Sequence, residues 1–210
     1  MSEPKRVFKN IFISIALVLS IAGLGLSLFS DVLIRLMADK AFWSAGGVVP
    51  IIVISVIVLA LTNFNNFGIL LKKKTGIIAV GTYINAFVIT IGFVFFIPLF
   101  GLYGAASAIF LGGLFQLIWI EWSSNKLYDM QLPWSRVALM NITWMMCYAF
   151  SLLLPEALLI SVAGKSLIFI SFIWLMFVLP ILEKEEKKKI FTYTKAIIVK
   201  ASNYFYLKKA

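Results

Sequence analysis

Apolar positions along this chain come in long unbroken runs separated by short polar patches. That is the pattern of helices matched to a bilayer, which asks for about 20 apolar residues each. The first run spans Ile11 to Leu28 and reaches Met37 if Asp31 and Arg35 sit in the interface. A polar patch of Asp39, Lys40, Trp43 and Ser44 separates it from a second run, Val48 to Leu61. Pro50 is tolerated in the first turn of that run, which continues through Asn63, Asn65 and Asn66 to Lys72-Lys73-Lys74. The third run, Gly76 to Phe96, stops at Pro98, and a short link, Gly101 to Tyr103, leads to the fourth, Gly104 to Ile120. A hydrophilic loop is expected over Glu121 to Arg136. A fifth run follows from Val137 to Leu154, ended by Pro155, and a sixth from Ser166 to Leu182. The fold class expected is therefore an all-α integral membrane protein of about six transmembrane helices over residues 1–183, with a basic cytoplasmic tail over 184–210. In the tail Ile190, Tyr193, Ile197, Ala201 and Tyr204 recur at helical spacing, which fits a basic interfacial helix or a partly ordered segment.

Charge gives these runs a direction. With six spans and a cytoplasmic N-terminus, sixteen of the nineteen lysines and arginines fall on the cytoplasmic side. Only Arg35, Lys40 and Lys165 are left outside. Short loops obey such a bias, and five or seven spans would put the lysine-rich tail on the wrong side. Lys5, Arg6 and Lys9 ahead of an apolar run could suggest a signal peptide. The run is too long for that and no small-residue cleavage site follows, so an uncleaved first span is the better reading.

Composition narrows the chemistry. The chain is 62% hydrophobic and 13% charged, with a mean hydropathy of +1.01. Soluble domains carry about a quarter charged residues. The net charge of +10 sits mostly at the ends, which suits anionic lipid and orientation better than nucleic acid. There is no histidine and one cysteine, Cys147, so His-based triads, zinc–histidine sites and an intramolecular disulfide are excluded. No acid cluster, phosphate-loop spacing or cofactor motif is present. An intramembrane enzyme, such as a glycosyl- or acyltransferase, is therefore disfavoured, and neither a metal nor a cofactor is expected.

The most informative stretch runs from Asn85 to Ala108. It reads as a helix ended by Pro98, a turn on Gly101 and Gly104, and a second helix with Gly104, Ala108 and Gly112 on one face. A stripe of small residues lets two helix backbones approach closely, so a tight helical hairpin is expected.

Asn85 in a long apolar helix, followed by Ile-Pro-Leu-Phe-Gly-Leu-Tyr-Gly-Ala-Ala-Ser-Ala (97–108), resembles the lipid-linked polysaccharide flippase branch of the multidrug/oligosaccharidyl-lipid/polysaccharide exporter superfamily. That branch includes O-antigen and capsule repeat-unit flippases. Phe42-Trp43-Ser44-Ala45 through Val49-Pro50-Ile51 resembles the segment before the preceding family helix. Gly68-Ile-Leu-Leu-Lys-Lys-Lys-Thr75 resembles the loop before the Asn-bearing helix. The resemblance implies a part of a transporter that moves polyprenyl-diphosphate-linked oligosaccharide across the bacterial plasma (inner) membrane for polysaccharide biosynthesis. Family members have 12 or 14 spans in two lobes with substrate between them, and this chain resembles only the last six or so helices. The implied partners are thus the lipid bilayer, the lipid-linked oligosaccharide, and a missing N-terminal lobe, a second copy or other polysaccharide-assembly membrane proteins. The competing expectation is a truncated or accessory module that transports nothing and binds membrane proteins through the Gly104/Ala108/Gly112 face.

Polar groups inside a membrane are costly, so they are the default site candidates. They are Asn85 with Thr82 and Thr90, Gln116, and Asn141 with Thr143. Each reads either as an interhelical hydrogen bond or as lining of a translocation path. Arg35 reads as a snorkelling interfacial arginine near Asp31 and Asp39, or as the receiver of a pyrophosphate. Lys72 to Lys74 read as topology determinants beside anionic lipid, with headgroup capture as the alternative. Glu121, near Trp119 and Trp122 at an aromatic belt, is a weak candidate for proton coupling.

Overall fold

Runs of Leu, Ile, Val and Phe without interior charge form helices in hydrocarbon because a helix satisfies its own backbone polar groups, which lipid cannot do. The computed structural model describes residues 3–128, 130–154 and 158–178. Pro155, the last residues of the sixth expected span and the tail 184–210 with its expected interfacial helix lie outside them. The described residues are all-α, without strands: α1 (Glu3–Met37), a 3-10 segment (Lys40–Val48), α2 (Val49–Leu70), α3 (Gly76–Leu127), α4 (Trp134–Ser151) and α5 (Leu158–Val178). Among the described residues four stretches are long and apolar enough to cross a membrane: Lys5–Met37, Lys40–Leu70, Gly76–Leu127 and Ser161–Val178. α4, with Ser135, Arg136, Asn141 and Thr143 in its 18 residues, is not among them.

Several boundaries differ from the sequence reading: α5 begins at Leu158 rather than Ser166, and the helix expected to stop at Pro98 runs on to the break at Gly101. α1 begins at Glu3 rather than Ile11 and runs through Asp31 to Met37, because polar residues at its ends do not interrupt backbone pairing. The patch around Lys40 is not a loop but a 3-10 helix that feeds into α2. The expected loop 121–136 shrinks to the few residues between Leu127 and Trp134. Its polar residues are matched locally: Glu121 accepts from Asn125 and from the indole of Trp134, and the Lys126 ammonium lies 3.3 Å from the Trp122 ring centroid. These local contacts, all made through one Glu121 oxygen and the Lys126 ammonium, let the helix run on past Ile120.

α3 is 52 residues long and would measure about 78 Å if straight. It folds back on itself at Gly101, whose φ of 56° and ψ of −127° suit only glycine. Pro98, inside the helix and just before this break, lacks the N–H that would continue the ladder. The arms 76–100 and 102–127 therefore run antiparallel.

Cross-helix contacts fix the remaining directions. Gly23 of α1 faces Val53 and Ile57 of α2, and Phe12 meets Phe64, so α1 and α2 are antiparallel. Gly47 faces Tyr103, Val58 faces Gly113 and Asn65 meets Ser124, so α2 runs parallel to arm 102–127. Trp134 packs on Phe12 and Trp144 lies by Gly23, which makes α4 parallel to α1. Phe169 against Gly25 and Lys165 against Asp31 make α5 antiparallel to α1. The core lies among α1, α2, α4, α5 and the inner arm of α3, with Phe12, Leu24, Trp144, Met140, Phe172 and Met176 all but sealed from solvent. Arm 76–100 is the outermost element. Its buried residues are two glycines, Gly81 and Gly92, and it contributes no side chain to the core.

One packing device escaped the sequence reading. Ala16, Ser20, Gly23, Ser27 and Ser30 of α1 are spaced four, three, four and three apart. This is the heptad seam of close-packed helices written in small residues, and Ser20, Ser27 and Ser30 are buried along it. Ser30 Oγ donates to the carbonyls of Ser27 (3.0 Å) and Gly46 (3.2 Å), which ties α1 to the 3-10 segment.

Candidate functional site

The hairpin of α3 is where sequence and structure concentrate the unusual residues. Without side chains, Gly104 lets its arm sit on the carbonyl of Phe96, and an added Cβ there would strike that oxygen. One turn further, a Cβ on Gly92 would stand 2.6 Å from the Cβ of Ala108. A Cβ on Gly112 would stand 3.1 Å from the carbonyl of Asn85. So the Gly104/Ala108/Gly112 face is occupied by the chain's own arm. It is not free to bind another membrane protein, which corrects that part of the accessory-module expectation.

The same register pairs the two carboxamides. Asn85 Nδ2 donates to Gln116 Oε1 at 2.9 Å, and lower down Trp119 Nε1 donates to the carbonyl of Ile77 at 3.2 Å. Thr82 and Thr90 return their hydroxyls to the carbonyls of Ile78 and Ala86 in their own helix. Asn141 and Thr143 do the same in α4, to Val137 (2.9 Å) and Leu139 (2.8 Å). Arg35 lies at the far end of α1, exposed, its guanidinium 5.2 Å from the Trp43 ring centroid. Asp31 beside it is paired with Lys165 at 3.5 Å. The structure thus brings Asn85 and Gln116 together and leaves Arg35 and Asn141 apart from them and from each other.

Two further features were not anticipated. Asn65 is wholly buried between α2 and arm 102–127; its backbone carbonyl accepts from Ser124 Oγ at 3.1 Å, yet neither polar atom of its carboxamide has a partner. The seven-residue step from Val58 to Asn65 would have placed it on the interhelical face once that face was known. On the outside of arm 76–100, a shallow groove of about 580 Å³ is lined by Val80, Tyr83, Ile84, Ala86, Phe87 and Thr90. It carries no charge, so it suits acyl chains and not a diphosphate.

Among the described residues no group of His, Cys, Asp and Glu is placed to hold a metal ion. No known family, curated protein or solved structure matches this chain. What the arrangement offers chemically is packing and charge placement. The bundle sorts Lys5, Arg6, Lys9, Lys72, Lys73, Lys74, Lys126 and Arg136 to one end. Asp31, Arg35, Asp39, Lys40 and Lys165 lie at the other.

Proposed function

We propose that this chain is part of a membrane transporter that flips polyprenyl-diphosphate-linked oligosaccharide in a bacterial inner membrane. In this reading six helical segments cross the bilayer: α1, α2, the two arms of α3, α4 and α5. Both termini face the cytoplasm. α4, the most polar, buries Val137, Met140 and Trp144 against its neighbours and turns Ile142, Met145, Met146 and Phe150 outward, a face suited to lipid. The observation that carries the proposal is the ordered run of family-like residues over 42–108, which forms one contiguous structural piece: the 3-10 segment, α2, the lysine turn and the hairpin. The charge sorting supports the orientation, since the lysine-rich end belongs in the cytoplasm. The substrate would pass between this chain and a second lobe, supplied by another polypeptide or another copy.

A second reading, an accessory module that transports nothing, is favoured by one observation: the Asn85 amide donates to Gln116 of the neighbouring arm, an interhelical bond within the hairpin. A complementation experiment separates the two. Expressed with the membrane proteins of its own locus in a flippase-null strain, the chain restores surface polysaccharide if it is a transporter part. No rescue, with retained co-purification of those proteins, leaves the accessory module standing.

A further inference from the structure

The cations at the lysine-rich end are not alike. Lys5, Arg6, Lys9 and Arg136 each engage another group. Lys72, Lys73 and Lys74 are exposed, and among the described residues none has an acidic partner. They are fixed in a tight turn between α2 and α3. The N–H groups of Lys72, Lys73 and Lys74 bond the carbonyls of Ile69, Leu70 and Ile69, and Lys73 takes a left-handed φ of 55°. Beside this turn stands an aromatic pair, Trp119 and Trp122, with ring centroids 5.6 Å apart. The Trp119–Ile77 hydrogen bond holds the pair at the first turn of α3. Lys126, two turns beyond Trp119 on the same helix, lies over the exposed face of Trp122 at the level of the lysine turn. The acid of arm 102–127, Glu121, is turned to Asn125 and to Trp134 of α4. Four cations and two indoles thus share one corner of the bundle, and among the described residues none of the four cations is ion-paired with a carboxylate.

We propose that this corner is a binding site for the phosphate of an anionic phospholipid in the leaflet at that end. The lysines meet the headgroup, and the indoles sit where their amphipathic rings are most stable, at the boundary of headgroup and acyl chain. The apolar outer arm below them receives the chains. A soluble polyanion would have no use for that arm, which is why a lipid is the occupant. The proposal is independent of whether the chain transports anything.

The test uses the full chain reconstituted in phosphatidylcholine vesicles containing a fraction of either phosphatidylglycerol or phosphatidylcholine brominated in its acyl chains. Quenching assigned to Trp122, as the difference between wild type and Trp122→Phe, reads the lipid at this corner. Brominated phosphatidylglycerol should quench it more strongly. The preference should fall by roughly five-fold for each lysine among Lys72, Lys73, Lys74 and Lys126 changed to Gln. Arginine at the same positions should restore it, and Lys5→Gln with Lys9→Gln should leave it in place. Equal quenching by the two lipids in wild type overturns the proposal. So does an equal loss in the Lys5/Lys9 variant, which would mean a diffuse field rather than a site. A preference that emerges only when Glu183, Glu185 and Glu186 are changed to Gln would also overturn it, because the chain's own tail would then be the occupant.

Discussion

A carboxamide in hydrocarbon needs a partner, and Asn85 and Gln116 supply each other's. Changing both to Leu in a double-mutant cycle should show a coupling of about 0.6–2 kcal/mol, read from reversible unfolding in bicelles. Additive single effects would mean that the bond contributes nothing. Asn65 behaves in the opposite way. Its side chain is buried without a partner, so Asn65→Leu should leave stability unchanged or raise it, while Ser124→Ala, which removes a made hydrogen bond, should cost about 0.5–1.5 kcal/mol. Both carboxamides of the hairpin stand out in the sequence as polar residues in apolar runs. Their pairing does not, because it depends on where the chain reverses, and a shift of two residues at Gly101 would have separated them. Arg35 and Asn141 stand out in the same way and turn out to lie far apart, since polarity in an apolar run marks a cost and not a location.

At the scale of the element, the hairpin is the part most legible from sequence. Pro98, Gly101 and the small residues at 104, 108 and 112 are backbone statements: a missing donor, a conformation only glycine adopts, and a surface without side chains. Gly104→Leu should force the arms apart because its Cβ meets the Phe96 backbone. Gly76→Leu, where nothing lies within 4 Å, should fold and unfold like wild type. A common loss of thermal stability in detergent for both variants would show that the close approach at Gly104 is not what holds the arms. Helix ends were less legible. Glu121, Asn125 and Lys126 read as a loop because they are polar, and the local bonds that keep them helical involve Trp134, thirteen residues beyond Glu121. Hydropathy has no access to such a partner.

For the whole molecule, the antiparallel order of helices converts a scattered set of lysines into one basic end. In a Cys147→Ala background, cysteines placed at Lys73 and at Lys126 should react with a membrane-impermeant maleimide from the same side, and a cysteine at Lys40 from the other. Labelling of Lys40 and Lys73 positions from one side would break the six-crossing arrangement. The class of the molecule was legible from the apolar runs alone. The small-residue seam of α1 was not, because serines and glycines in an apolar helix carry little weight in hydropathy, and only the neighbours Val53, Ile57 and Trp144 reveal what the seam admits.

The outer arm of α3 brings only glycines to the buried interior, and its polar Asn85 is answered by a residue synthesised thirty-one positions later. During biogenesis, a nascent chain that has emerged only as far as residue 100 holds an arm with nothing to pack against and an amide with nothing to bond. Such a segment gains its place only when residues 102–127 arrive, so the two arms should leave the translocon for lipid as a pair.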